Sequence, residues 1–245
     1  MKSLPDKIEK CPITEAIFEL RFTSDFPDEA IFGIIYAEVK DDFKEGHESL
    51  PILQLPEKVR AQDPGLMYKA HHRLAKGNMV LNIGPRVLSF ANSDIYTGWA
   101  EWSKFFNTIL NKIEKTNVLT NIERIGLRYI NIFSDNIFDK VKLEVKIDNK
   151  ILSDESTNLR TEIIDGQYIN ILQVGNSLNI TKNNQDISGS IIDIDCIYNV
   201  ENTTEFLSDR SDIIEGLHNN EKKLFFSILK ESFLEELKPT YGDEP

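Results

Sequence analysis

One window of the sequence is rich in basic side chains. From Lys58 to Arg86 the chain carries six Lys and Arg residues against a single acidic residue. Residues 67–75 alternate as a strand does, and alternate side chains of a strand share a face at a spacing of about 7 Å. One face would then carry three basic groups: Lys69, His71 and Arg73. Such a row suits a phosphate backbone or an acidic partner, and a solvated sheet face is the other interpretation.

Two further arginines lie in apolar strands of similar sequence. Arg21 and Arg128 each follow a leucine and precede an aromatic residue. Each arginine could form an ion pair on a sheet face, and Glu19 is the same-face neighbour of Arg21. Alternatively, both guanidinium groups could face one cleft and bind phosphate or carboxylate.

An acidic pair offers candidate metal ligands. Asp193 and Asp195 are separated by one residue, so both carboxylates lie on the same face of a strand. Two carboxylates can bind Mg²⁺ or act as acid and base, and His218 would join them only if the fold collects it. The simpler expectation is a face in contact with water, because the motif has no third acidic ligand.

Motifs of several enzyme classes are absent from the sequence. It contains no glycine-rich phosphate loop, no H-E-x-x-H zinc motif and no G-x-S-x-G nucleophile turn. The two cysteines, Cys11 and Cys196, have no neighbouring base that would make them reactive. We therefore predict no catalytic residue and no cofactor, and we favour a protein that is not an enzyme.

The overall charge argues against two classes of partner. The net charge is -12, and residues 122–245 carry 13 Lys and Arg against 23 Asp and Glu. Such acidity disfavours a general nucleic-acid coat and an anionic membrane surface, although a local basic patch could still bind nucleic acid. No apolar run is long enough for a membrane helix and the first residues do not resemble a signal peptide, so we expect a cytoplasmic protein.

Hydrophobic periodicity predicts the elements that would position these residues. Apolar residues at helical spacing indicate a helix that starts around Asp25–Asp28, with Asp25 as the capping residue, and ends near Phe43. They also indicate helices over 95–115 and over 212–229, the latter with Ser211 as the cap. Trp102 and Phe106 belong to the apolar stripe of the second helix. Extended or loop structure is expected at 46–66, and a loop at 183–189. Strands are expected at 13–23, 67–75, 79–83, 86–92, 122–133, 141–147, 159–165, 168–175 and 189–199.

The order of these elements indicates the fold class. We predict an α+β fold in which helices pack on one side of one or more antiparallel sheets. The halves 1–121 and 122–245 each open with a Leu-Arg-aromatic strand and close with a long helix, which suggests a duplicated strand-helix-strands-helix unit. The two halves are expected to form one compact domain.

Three segments resemble a known family. The segments 12–22 and 124–131, and Leu217–His218 ahead of Phe225, are similar to a sporadically distributed bacterial family of uncharacterised proteins of similar length. The resemblance implies a prokaryotic cytoplasmic protein with patchy occurrence, of the kind associated with mobile or phage-defence loci. It carries no activity and no catalytic residues to this sequence.

Two functions remain open from the sequence. The first is a non-enzymatic binding protein whose partner is another protein or a second copy of the chain, with Lys69, His71, Arg73, Arg21 and Arg128 as its anion- or partner-binding residues. The second is a nucleic-acid- or nucleotide-processing protein that holds phosphate on the basic window and a metal near Asp193 and Asp195.

Overall fold

The computed structural model of the chain describes residues 4–182 and 185–242. Within those residues it contains thirteen strands and five α-helices. The strands are β1 (Lys7–Ile8), β2 (Ile13–Thr23), β3 (His47–Ser49), β4 (His72–Lys76), β5 (Met79–Gly84), β6 (Val87–Ser93), β7 (Asn121–Phe133), β8 (Val145–Ile147), β9 (Lys150–Leu152), β10 (Thr157–Asp165), β11 (Tyr168–Lys182), β12 (Gln185–Asn199) and β13 (Pro239–Thr240). The helices are α1 (Asp28–Val39), α2 (Glu57–Gln62), α3 (Trp99–Glu114), α4 (Thr203–Ile228) and α5 (Glu231–Glu236).

The chain divides into two compact units. Unit 1 comprises Met1–Thr14, Arg128–Cys196 and Glu215–Pro245, and unit 2 comprises Glu15–Leu127 and Ile197–Ile214. Most of unit 2 therefore comes from the first half of the sequence and most of unit 1 from the second half. Strands β2, β7 and β12 and helix α4 contribute residues to both units.

Unit 2 is built on an antiparallel arrangement of strands. The strand order is β7-β2-β6-β5-β4-β3, and β4, β5 and β6 form a meander of successive hairpins. In the first hairpin Lys76 pairs with Met79 around the two-residue loop Gly77–Asn78. Gly77 has a φ of 59°, a conformation that glycine adopts without a steric penalty.

The core of unit 2 is an aromatic contact between α3 and the strands. The Phe106 ring of α3 stacks on Phe18 of β2 with centroids 4.6 Å apart and lies 6.1 Å from Phe90 of β6. Trp102 lies one helical turn before Phe106, and both side chains are fully buried. This confirms the prediction that the apolar stripe of the helix faces the core.

Unit 1 has its own core on the order β10-β11-β12-β7. The C-terminal part of α4 and helix α5 cover the strands with apolar side chains, among them Phe225 and Phe233. The opposing residues come from β11 and β12: Leu172, Val174, Ile192 and Ile194. Helices that cover antiparallel strands confirm the predicted α+β class. None of the described helices is both long and apolar enough to cross a membrane.

The last long helix begins earlier than the sequence indicated. Helix α4 starts at Thr203 rather than near 212, so the predicted cap at Ser211 is wrong. Instead, the Asn202 side-chain oxygen accepts hydrogen bonds from the first-turn amides of Thr204 and Glu205. The first turns of α4 are mostly polar, and the buried Phe206 alone does not produce a visible apolar stripe.

The predicted strand 67–75 is largely wrong. Strand β4 begins only at His72, because the preceding residues turn. The Asp63 carboxylate accepts from the Gly65 amide, and the amides of Leu66 and Met67 donate to the Asp63 carbonyl. The regular row of three basic groups, which required a strand, therefore does not form.

Other boundaries also differ from the predictions. The segment 46–66, expected to be extended or a loop, contains the short strand β3 but also a 3₁₀ turn at Pro51–Gln54 and helix α2. The strand expected at 141–147 is confined to Val145–Ile147. Of the loop expected at 183–189, residues 185–189 belong to β12, and 183–184 lie outside the described residues.

Replacing Trp102 by alanine tests the core of unit 2. We expect Trp102→Ala to lower the free energy of unfolding by roughly 3–5 kcal/mol, because it removes a large buried ring and leaves a cavity. The measurement is urea unfolding followed by circular dichroism. The exposed Lys104 of the same helix supplies the control, and Lys104→Ala should change stability by less than about 0.5 kcal/mol. Equal midpoints for Trp102→Ala and the wild type would show that the stripe is not core.

Candidate anion-binding site

A cavity of about 220 Å³ lies within unit 2. It is enclosed by residues of α1 and α2, by the residues that enter β4, and by the loop between β5 and β6. Its basic and imidazole groups are Arg60, His71, His72 and Arg86. Its carboxylates are Asp28, Glu29 and Glu57. The two arginines are half-buried, whereas the three carboxylates are exposed, so the inner charges of the cavity are positive.

Backbone hydrogen bonds fix the segment that carries the two histidines. The His71 amide donates to the Ile83 carbonyl at 2.8 Å, and the His71 carbonyl accepts from the Leu50 amide at 2.8 Å. On the same side, Gly84 packs so closely against the chain that a Cβ there would lie 2.5 Å from the Lys69 carbonyl oxygen. A glycine is needed at this position for the loop that carries Arg86 to approach the turn before β4.

Burial and the neighbouring Arg60 keep His71 in its neutral form. The Arg60 Nε donates to the Leu55 carbonyl at 3.1 Å, and one terminal nitrogen lies 3.1 and 3.2 Å from the two ring nitrogens of His71. Burial, followed by the charge of Arg60, lowers the pKa of His71 to about 4. At neutral pH His71 is therefore uncharged and offers hydrogen-bonding nitrogens.

His72 is also held neutral, between an aromatic ring and a second histidine. The Phe32 ring stacks on His72 with centroids 3.7 Å apart, and His47 Nε2 lies 2.9 Å from His72 Nδ1. Burial first and then the neighbouring His47 lower the pKa of His72. Phe32 and His72 both line the cavity.

Arg86 is the second guanidinium group of the cavity. It occupies the two-residue loop between the paired residues Gly84 and Val87. Its side chain is half-buried, and the described residues provide it with neither a hydrogen bond nor an ion pair. Removing a charge from water is costly unless an opposite charge or hydrogen bonds compensate for it. The guanidinium group of Arg86 is thus available to an anion that enters the cavity.

The other two members of the predicted basic row lie at the surface. Lys69 and Arg73 are both exposed. The Arg73 Nε donates to Asn82 Oδ1 at 3.2 Å, and a terminal nitrogen lies 3.7 Å from a Glu48 oxygen. The sequence-based role of Lys69 and Arg73 in contacting a partner stays a prediction.

Arg21 is part of an ion-pair cluster in unit 2. Its Nε lies 2.8 Å from Glu19 Oε1, and Arg124 approaches the same oxygen at 3.5 Å. The Arg21 guanidinium also lies over the Tyr68 ring, 4.5 Å from its centroid. The Tyr68 hydroxyl donates to Glu123 at 2.7 Å, which raises the pKa of Tyr68. These contacts match the ion-pair interpretation of Arg21.

Arg128 forms a bidentate ion pair in unit 1. Its Nε and a terminal nitrogen lie 2.8 and 2.5 Å from the two oxygens of Asp193, which is on the neighbouring strand β12. Asp193 is only 5% exposed, so the expectation that its carboxylate faces water is wrong. The carboxylate accepts from two of the guanidinium donors, and the two opposite charges balance.

The remaining metal candidates are Asp195 and His218, and both belong to unit 1. Asp195 is half-buried, and His218 Nδ1 is 3.1 Å from the Tyr129 hydroxyl. Burial, and to a lesser degree Lys222, lowers the pKa of His218 to about 4. Among the residues that the structure describes, no three His, Cys, Asp or Glu side chains come together in a way that could hold a metal ion.

Comparisons of the chain with family models and with curated proteins found no match. The bacterial family that the three sequence segments resemble therefore stays a prediction.

The sequence did not reveal that Arg60, Arg86 and Phe32 line the same cavity. Arg60 and Arg86 were visible as part of the basic window, but nothing in their spacing indicated that they would line one cavity. Phe32 was one apolar residue among several in a helix. The available signal for Arg86 was its place in the Gly-Pro-Arg turn between two strands.

The Arg128–Asp193 pair can be tested by unfolding variants. Replacing Arg128 by methionine leaves the Asp193 carboxylate buried without its partner, which should cost about 2 kcal/mol; the partial exposure of Arg128 keeps this below the cost for a fully buried pair. The double variant Arg128→Met/Asp193→Leu should recover most of that loss. Lys223→Met, which breaks the exposed pair with Asp165, is the control and should have little effect. An Arg128→Met variant as stable as the wild type would refute a structural role.

Proposed function

We propose that this chain is a binding protein whose unit 2 cavity takes a small anionic ligand, with Arg60 and Arg86 as the groups that hold the anion. The observation that carries this proposal is Arg86, a half-buried cation that lines the cavity without an anionic partner among the described residues. A charge in that position is stabilised when an opposite charge enters beside it. Guanidinium groups suit this role because they donate two parallel hydrogen bonds to a phosphate or carboxylate group.

The other walls restrict the size and shape of the ligand. A volume of about 220 Å³ lies below the ~300–1,000 Å³ typical of drug-sized sites, so the ligand is compact. Neutral His71 and His72 can accept or donate hydrogen bonds without repelling a cationic part of the ligand. The exposed carboxylates of Asp28, Glu29 and Glu57 would repel any negative charge of the ligand that does not contact Arg60 or Arg86. The site therefore favours a ligand with one compact anionic group.

The alternative function receives no comparable support. Nucleic-acid or nucleotide processing relied on a metal near Asp193 and Asp195, and Asp193 is instead paired with Arg128. Contact of Lys69 and Arg73 with a protein partner, and the association with a defence or mobile locus that the family resemblance implies, remain predictions. Neither is required for a ligand in the cavity.

Binding of inorganic phosphate is the direct test of the cavity. Calorimetric titration of the whole chain with phosphate, at constant ionic strength maintained with chloride, should show saturable binding. Arg86→Gln and Arg60→Gln should each weaken it by at least about tenfold, because a charge-assisted hydrogen bond contributes roughly 1.5–3 kcal/mol. A parallel titration with acetate distinguishes a preference for phosphate from one for carboxylate.

Arg73→Gln is the matched control, since it removes one exposed arginine of the same sequence window outside the cavity lining. It should bind phosphate and acetate as the wild type does. If neither anion binds the wild type, or if Arg73→Gln weakens binding as much as Arg86→Gln, the cavity is not the anion site. Circular dichroism of each variant verifies that it is folded.

A further inference from the structure

Strand β10 has one unpaired edge. It is the first strand in the order β10-β11-β12-β7, and β11 is its one neighbour among the described strands. No backbone hydrogen bond joins β10 to a described residue outside that pair. Most of its side chains are exposed, including Ile163 at 36% and Ile164 at 76%. A long open edge of this kind is a template for pairing with another chain.

The hairpin determines which backbone groups of β10 point to the free edge. Asp165 pairs with Tyr168 around the two-residue loop Gly166–Gln167, and Gly166 has a φ of 62°. The pair that closes such a turn is hydrogen-bonded, and hydrogen-bonded pairs alternate along an antiparallel ladder. The odd-numbered residues of β10 are thus bonded to β11. The even-numbered residues direct their N–H and C=O groups outward: Asn158, Arg160, Glu162 and Ile164.

The sequence of this edge is complementary to itself. We propose that two copies of the chain pair antiparallel through β10, with the two-fold axis at Thr161. Arg160 then lies opposite Glu162 of the second copy, and Asn158 opposite Ile164. The backbone N–H and C=O groups of all four residues point to the free edge, so this register forms a continuous hydrogen-bonded ladder between the copies. The proposal rests on unit 1 residues alone and is independent of the ligand proposed for unit 2.

Charge selects this register over its neighbours. If the two-fold axis lay at Arg160 instead of Thr161, Arg160 would lie directly opposite Arg160 of the second copy. If the axis lay at Glu162, Glu162 would lie directly opposite Glu162 of the second copy. Like charges directly opposite each other destabilise a strand pair, and opposite charges stabilise it. Within one chain the Arg160 and Glu162 side chains are already 3.7 Å apart, so pairing would join them into a cluster of four alternating charges.

The other face of the strand supports the same register. Leu159 lies opposite Ile163 of the second copy, so two apolar pairs flank the two-fold axis. These pairs are not hydrogen-bonded, which brings their side chains closest together. Pairing would thereby cover the exposed part of Ile163 with an apolar neighbour. Edge-to-edge addition of this kind takes its affinity from main-chain hydrogen bonds and its specificity from side-chain pairs.

The oligomeric state of the wild type and three variants tests the pairing. Analytical ultracentrifugation over a concentration series should show a species of twice the 28.1 kDa of one chain. Arg160→Glu and Glu162→Arg should each be monomeric, because each places like charges opposite each other. An equimolar mixture of these two variants should restore the dimer, since every opposed pair is then Glu with Arg. Glu162→Pro should also be monomeric, because it removes an outward N–H while sparing the bonds to β11.

Cysteine cross-linking tests the register. In a Cys11→Ser background, Thr161→Cys should form an intermolecular disulfide on mild oxidation, because the axis places two Cα atoms about 4.5 Å apart in a non-hydrogen-bonded pair. Asn158→Cys is the control and should not cross-link, since it faces Ile164. A wild type that remains monomeric throughout, a dimer that persists in Glu162→Pro, or equal cross-linking of both cysteine variants would each overturn the proposal.

Discussion

The aromatic contact between α3 and strands β2 and β6 is the interaction on which the described features of unit 2 depend. Phe106 can stack on Phe18 only if the helix lies across both strands, and Trp102 then fills the next turn of the same face. Helix α1 is held to this core by Ile31, Ile35 and Val39, and Lys112 of α3 forms a 2.6 Å ion pair with Asp42 just beyond α1. The orientation of α1 follows from these contacts.

That orientation determines one wall of the cavity. Because Ile31 and Ile35 are buried, the adjacent Phe32 is turned to the side of the helix where His72 lies, and the two rings stack. Burial first, and then the charge of Arg60 beside His71 and the neighbouring His47 beside His72, lower the pKa of both histidines and keep them neutral. The positive charge inside the cavity is therefore confined to the guanidinium groups. The cavity is therefore a consequence of core packing, and its charge is a consequence of burial.

The parts of this structure that sequence could predict are those with local signals. The apolar stripe of α3, the glycine turn at Gly77 and the Asp165–Gly166 hairpin are encoded by neighbouring residues, and all three are present. The start of β4 was not predictable from alternation, because a carboxylate turn at Asp63 competes with the strand. The burial of Asp193 depends on Arg128, 65 residues away, and no local pattern reveals such a partner. The same reason hid the position of Arg86 in the cavity, which depends on the packing of α1 and α2 around the loop that carries it.

We propose that Arg60 and Arg86 hold an anion in this cavity, and a crystal structure grown with tungstate tests this proposal most directly. Tungstate has the tetrahedral shape and charge of phosphate, and its anomalous scattering identifies its position without ambiguity. We expect an anomalous peak inside the cavity, within hydrogen-bonding distance of the Arg86 guanidinium and of Arg60, that disappears in Arg86→Gln crystals. Peaks confined to exposed lysines and arginines elsewhere, with the cavity empty, would contradict it.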